Sequence, residues 1–217
     1  MIPSKRLGAL TIGQSPRPDL VAPLHSLLPQ YEIVEAGALD PVAAADLPSI
    51  ENAQYPLTTR LRTGELVYAD ARFLQLHLQN ALDVLERQGV VATILLCAGT
   101  FSDLVGVQPL FKPFDIACAT LQALSLHSIG IISPIVEQEL PIKQRWLAAN
   151  FQPTVWTASI KTPDLTPITQ KANRCDAVVL DYVGHAPEDV VRLQQAVTVP
   201  VVDLGLLTMK ILESSLS

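Results

Sequence analysis

At 217 residues the chain can build one large domain or two small lobes, and either can bury a proper core. Apolar residues make up 49% and charged ones only 17%, the balance of an α/β protein whose sheet is covered on both faces. Fifteen basic against 21 acidic residues leave a charge of −6, which argues against nucleic acid or an anionic membrane as partner. A first strand is expected near 6–12, and a helix follows Pro18-Asp19 with Leu20, Leu24, Leu27 and Leu28 at helical spacing. After a short strand at 31–35, residues 38–70 read as loop plus hairpin, with Pro41, Pro48 and Pro56 and the alternating runs Leu57–Leu61 and Glu65–Tyr68. A long helix is expected over 70–88, with Phe73, Leu74, Leu78, Leu82 and Leu85 on one face and Gly89 as its stop. A strand ending at Cys97 comes next, then a short element at 107–111, a helix at 114–125 and a strand at 128–132. Pro134 opens a helix carrying Val136, Leu140, Trp146 and Leu147, which Asn150 ends. Strands near 153–157, 176–181 and 199–203 then alternate with helices near 165–174, 187–196 and 205–215. Such alternation predicts parallel sheets joined by right-handed crossovers.

Within that order a strand-and-turn unit occurs twice. Ala92-Thr93-Ile94-Leu95-Leu96-Cys97-Ala98-Gly99-Thr100 aligns without a gap on Ala177-Val178-Val179-Leu180-Asp181-Tyr182-Val183-Gly184-His185. A second pair, Gly8-Ala9-Leu10-Thr11-Ile12 with Ser15-Pro16 after it and Gly130-Ile131-Ile132 with Ser133-Pro134 after it, falls in the same order. Duplication is the reading that explains both pairs. It predicts two pseudo-symmetric Rossmann-like lobes with a cleft between them. The first lobe spans 1–113 with the hairpin inserted at 38–70, the second spans 114–203, and a C-terminal helix at 204–217 packs back on the first.

Ligands of parallel α/β sheets bind beyond the carboxyl ends of the strands, and the polar candidates here sit at such ends. In Gly13-Gln14-Ser15-Pro16-Arg17, Ser15 and the first free amides of the next helix can hold an anion, and Arg17 is a natural clamp for a carboxylate. Cys97 closes a strand and opens the turn Ala98-Gly99-Thr100, whose amides and hydroxyl suit a thiolate or a substrate carboxylate. Cys118 and Cys175 read as small hydrophobes. Three cysteines at wide, irregular spacing form neither a disulfide framework nor a zinc site. No secretory core follows Ser4-Lys5-Arg6, and no apolar run reaches the ~18 residues of a membrane span. A cytoplasmic protein without metal or cofactor is therefore expected. Tyr182, Gly184 and His185 occupy the matching turn of the second half, and Ser133 ends the strand equivalent to the first. Thr58, Arg60, Arg62 and Lys112 could reach the same region, or simply be solvated.

These motifs, taken together over nearly the whole chain, resemble the AroM-like proteins, a branch of the aspartate/glutamate racemase superfamily. The resemblance implies an active site between two lobes. In the wider superfamily two cysteines, one per lobe, take and return the α-proton of an amino acid without a cofactor, while related decarboxylases and isomerases keep one. Cys97 matches the first-lobe cysteine, and Tyr182 stands where the second would be. The resemblance thus implies a cofactor-independent isomerase or lyase acting at the carbon next to a carboxylate. Cys97 is its proton donor or base and Tyr182 the opposing group. Gln14, Ser15, Arg17, Gly99, Thr100, Ser133, Gly184 and His185 form the binding set. The alternative is a small-carboxylate binding or regulatory protein that has lost turnover. A homodimer is the base-rate expectation for an α/β enzyme of this size.

Overall fold

Alternating apolar strands and amphipathic helices give two α/β units in a computed structural model that describes residues 5–51, 53 and 56–216. The first unit is Met1–Lys112 with Met209–Ser217, and the second is Pro113–Thr208. In chain order the first holds β1 (Lys5–Thr11), α1 (Pro18–Leu27), β2 (Tyr31–Gly37), β3 (Pro56–Arg60), β4 (Leu66–Asp70), α2 (Ala71–Arg87), β5 (Val90–Leu95) and β6 (Leu110–Phe111). The second holds α3 (Pro113–Ala123), β7 (Ser128–Ser133), α4 (Glu139–Ala148), β8 (Gln152–Thr157), α5 (Thr166–Ala172), β9 (Ala177–Leu180), α6 (Pro187–Ala196) and β10 (Val201–Asp203). The last helix, α7 (Leu204–Leu216), starts in the second unit and finishes in the first, where the Tyr31 hydroxyl donates to the Leu216 carbonyl at 2.9 Å.

Each unit has a four-stranded parallel sheet of the same order, β2-β1-β5-β6 in the first and β8-β7-β9-β10 in the second. The registers coincide residue for residue. Gly8 lies opposite Thr93 and Gly130 opposite Val178, the pairs that the sequence repeat equates. Just past the strand ends, Leu96 N–H donates to the Leu10 carbonyl at 2.7 Å and Asp181 N–H to the Ile132 carbonyl at 3.0 Å. At the fourth strand, Thr93 N–H donates to the Pro109 carbonyl at 2.9 Å and Val178 N–H to the Pro200 carbonyl at 2.8 Å. A one-residue slip would turn each strand's buried set toward the wrong face, so matching registers mean that equivalent residues do equivalent work. The repeat is structural.

The core of the first unit packs Leu74, Leu78, Leu82 and Leu85 of α2 against Leu10 and Leu95 of the sheet. Helix α2 starts where the Asp70 carboxylate caps it, accepting from Arg72 N–H at 2.8 Å. The second core gathers Ile132, Val178 and Leu180 with Ile168, Val190 and Leu193 of α5 and α6. The inserted segment forms the expected antiparallel hairpin, β3 with β4, running from Pro56 opposite Asp70 to Arg60 opposite Leu66. Part of the loop before it, at 52 and 54–55, lies outside the described residues.

One helix departs from expectation. Pro134 does not open it: residues 136–138 wind as a 3₁₀ turn, and α4 begins only at Glu139. The reason is Pro141, which has no N–H to give and is tolerated only in a first turn. The late start changes the helical phase. Ile142 and Trp146 face the core, while Val136, Leu140 and Leu147 are exposed. Strands β5 and β9 also stop two residues short of Cys97 and Tyr182, leaving both side chains in the turns beyond.

Candidate active-site turns

The turn after β5 holds Cys97 firmly. Its side chain is 9% exposed and packs in the first core with Leu57 and Phe101. Gly99 N–H donates to the sulfur at 3.2 Å. Hydrogen bonds donated to sulfur favour the ionised form over the thiol. A side chain at Gly99 would press on that sulfur, on Phe101 and on Leu57 at 3.1–3.4 Å, so glycine lets the amide approach. Thr100 follows, exposed, and free to turn its hydroxyl to a ligand. Burial, with Asp115 nearby, pushes Cys118 up to about 12, and burial also raises Cys175.

The Gly13–Arg17 turn carries its donors, but the chain itself uses them. Ser15 gives its amide (2.8 Å) and hydroxyl (2.7 Å) to the two oxygens of Asp40. Arg17 forks onto Asp19 through Nε at 2.9 Å and Nη2 at 2.7 Å, and its backbone N–H donates to Glu35 at 2.5 Å. The Arg17 hydrogen bonds hold the Asp19 carboxyl below its ordinary value. Gln14 is a structural tie: its amide nitrogen donates to the Leu39 and Val42 carbonyls, and its oxygen accepts from Arg62 N–H at 2.8 Å. Arg62 adds bonds to the Ser15 carbonyl (2.7 Å) and Asp40 (3.1 Å). The hairpin is thereby fastened over this turn, and a Cβ on Gly13 would collide with the Arg60 carbonyl and Thr59. A substrate anion at Ser15 must displace Asp40.

In the second unit Ser133 is buried at the end of β7, where its hydroxyl accepts from Ile135 N–H at 3.3 Å. In the repeat, Asp181 takes the place that Leu96 holds in the first unit. Its carboxylate is almost sealed from solvent and accepts from Arg145 Nη2 at 2.6 and 2.5 Å and from Trp146 Nε1 at 2.6 Å. Tyr182, the next residue, is 36% exposed. Its ring meets the His185 ring edge to face, with centroids 5.3 Å apart. Gly184, at φ +114°, makes the turn that brings His185 back against Tyr182. His185 Nδ1 lies 2.8 Å from Asp203 Oδ2, and both side chains are at least nine-tenths buried.

Asp203, Asp40 and Glu35 did not emerge from the sequence as site residues. The strand pairings, with Leu110 beside Thr93 and Val201 beside Val178, set Asp203 against Lys112, but the sequence repeat ends at Thr100 and His185 and does not reach either residue. Asp40 and Glu35 act on residues 18–25 positions away, which local spacing cannot show. A shallow pocket lined by Asp83, Glu86, Arg87, Val107 and Gln108 lies where α2 leads into β5, at the opposite strand ends from Cys97. It takes no part in these turns. Among the described residues no group of three or more His, Cys, Asp and Glu is arranged to hold a metal ion, and no helix is long and apolar enough to cross a membrane.

Two parallel α/β units of one strand order, each ending its third strand in a polar turn, define the class as duplicated Rossmann-like. The chain belongs to the AroM protein family, which matches it over residues 7–213. Among solved structures it is similar to arylmalonate decarboxylase, with a TM-score of 0.64 and 14% identity over 96% of this chain and 92% of that one. It is similar to allantoin racemase from Klebsiella pneumoniae, with a TM-score of 0.62 and 16% identity over 97% and 87% of the two chains. The Picrophilus torridus aspartate racemase gives 0.57 and 14% over 97% and 94%. At such identities the likeness is one of fold. No curated protein sequence matches the chain.

Proposed function

We propose that this protein is a cofactor-independent isomerase or lyase acting at the carbon next to the carboxylate of a small acid, with Cys97 as proton donor or base. The observation that carries the reading is the Gly99 N–H held at 3.2 Å from the Cys97 sulfur at a strand end of a parallel sheet. The names of the similar structures, a decarboxylase and two racemases of small molecules, support the same kind of chemistry. Thr100 and the amides around Gly99 are the first-unit donors best placed to receive a ligand, since Ser15 and Arg17 are engaged with Asp40 and Asp19. Ser133, Gly184 and His185 are the candidate binding residues of the second unit in this reading. Tyr182 supports the reaction as a donor, because a phenol gives a hydrogen bond at neutral pH far more readily than it takes a proton. One thiol and one phenol favour a one-sided protonation, such as decarboxylation finished by Cys97, over symmetric racemisation. Three cysteines outside any disulfide among the described residues fit a reducing cytoplasm as the place where the protein works.

A second reading, a carboxylate-binding protein without turnover, draws on those engaged donors and on Tyr182 at the second-cysteine position. Alkylation tests the role of Cys97. Exposure alone ranks Cys97 last, because it is buried and Cys118 and Cys175 are half-buried. The hydrogen bond from Gly99 N–H to its sulfur ranks it first in the proposed role. Iodoacetamide at about pH 7.5, followed by peptide mass spectrometry, is expected to label Cys97 before the other two, with malonate slowing that labelling. Labelling in the order of exposure would contradict the assignment.

A further inference from the structure

His185 and Asp203 form a pair that the assignment of Cys97 leaves unused. Their geometry points to a second proton-handling group at the carboxyl end of the second sheet. We propose that Asp203 is a positioning residue that holds His185 as the Nδ1–H tautomer, leaving Nε2 as a bare base beside Tyr182. This rests on the reading above and deepens it: beside the donor Tyr182 it adds His185 as a proton acceptor of the second unit, a role that a phenol fills poorly at neutral pH.

The inference starts from donor and acceptor counts. An ionised carboxylate can only accept hydrogen bonds. Asp203 Oδ1 accepts from Leu206 N–H at 2.7 Å, which caps the first turn of α7. Its other oxygen, Oδ2, is left to face His185 Nδ1 at 2.8 Å. The hydrogen of that contact must come from the ring, so Nδ1 carries a proton, and in the neutral ring Nε2 then carries the lone pair. The pair is rigid on both sides. Asp203 is the last residue of β10 and is locked by α7, while the Tyr182 ring packs edge to face on the imidazole. Burial of both side chains keeps water from competing for the bond. A histidine that only filled space would not need its tautomer fixed by a carboxylate anchored at a helix start. The same division of labour, a carboxylate orienting a histidine that moves protons, is a general template of acid–base catalysis.

The helix contact makes the test sharp. In Asp203→Asn the amide oxygen keeps the Leu206 N–H, as asparagine caps helices well. The NH₂ group must then face His185 Nδ1 and donate to it. The proton moves to Nε2, and the base is lost with the fold intact. Long-range ¹H–¹⁵N spectra of the full chain at about pH 8.5, well above the ordinary histidine range, read this directly. The expected result is an Nδ1–H signature for His185 in the wild type and an Nε2–H signature in Asp203→Asn, with melting temperatures within a few degrees of each other. An Nε2–H signature or a doubly protonated ring in the wild type would overturn the proposal, and so would a tautomer unchanged by Asp203→Asn. For any acid whose α-proton the wild type exchanges, Asp203→Asn and His185→Gln should each slow exchange at least about tenfold, and full exchange in either would also overturn it. If Cys97→Ser left such exchange intact while the tautomer behaved as expected, the Cys97 assignment would fail and the Asp203–His185 pair would stand.

Discussion

Cys97→Ser is expected to abolish exchange of solvent protons into substrate while leaving the fold in place. The fold survives because serine is a small side chain that can accept the same Gly99 N–H and fill nearly the same space against Leu57 and Phe101. Exchange fails because a serine hydroxyl is far too weak an acid to replace a thiol as a proton carrier. A loss of at least about a hundredfold is expected, since general acid–base groups contribute roughly 10²–10⁴. Tyr182→Phe should reduce the same exchange less, in keeping with a supporting role. A reversed outcome, with full turnover in Cys97→Ser and none in Tyr182→Phe, would exchange the two roles. The measurement is loss of the α-proton signal in D₂O, with circular dichroism as the check on folding.

The largest stability effect should come from Asp181, which has no part in the proposed chemistry. Its carboxylate holds the Arg145 guanidinium and the Trp146 indole N–H in a site where the Asp181 and Arg145 side chains are only 1% and 8% exposed. Arg145 also lies 4.7 Å over the Phe114 ring. Removing the carboxylate takes from Arg145 and Trp146 the acceptor they share in a low-dielectric site, a cost of about 3–5 kcal/mol. Asp181→Ala should therefore lower the unfolding free energy by about that much in urea denaturation, read from the midpoint at constant slope. The double change Asp181→Leu with Arg145→Met should recover most of the loss, because no buried charge then remains. A loss below about 1 kcal/mol in the single variant would mean that water or another group reaches Arg145.

The contrast between Asp181 and its neighbour Tyr182 also shows what the sequence could and could not convey. The repeat was legible because it rests on strand composition and Gly spacing, which are local. It equated Gly8 with Gly130 and Thr93 with Val178 before any register was known, and the registers then set Gly8 opposite Thr93 and Gly130 opposite Val178. The hairpin was legible for the same reason, through alternation. The phase of α4 was misjudged although Pro141 was in plain sight, since Pro134 offered a nearer start. At the candidate site the residue types were visible but their partners were not. Ser15 looks like an open anion donor until Asp40, 25 residues away, is brought onto it by the fold. Arg17 looks like a free clamp, although Asp19, two residues on, was always within reach. His185 looked like a ligand contact, and only the approach of β10 revealed Asp203 as its partner. For Ser15 and His185 the missing information was a carboxylate distant in the chain.

The activity proposed for this AroM-family protein is proton movement at the carbon next to a carboxylate, with Cys97 as the carrier. Thermal-shift screening of amino acids, hydroxy acids and malonates would first identify which of them the wild-type protein binds. Each ligand that binds would then be incubated with the protein in D₂O and followed by ¹H NMR. Deuterium is expected at the α-carbon of at least one of them, either by exchange or in the product of decarboxylation, and none with Cys97→Ser. Tight binding with the α-proton fully retained and no product formed would contradict it and leave a binding protein in its place.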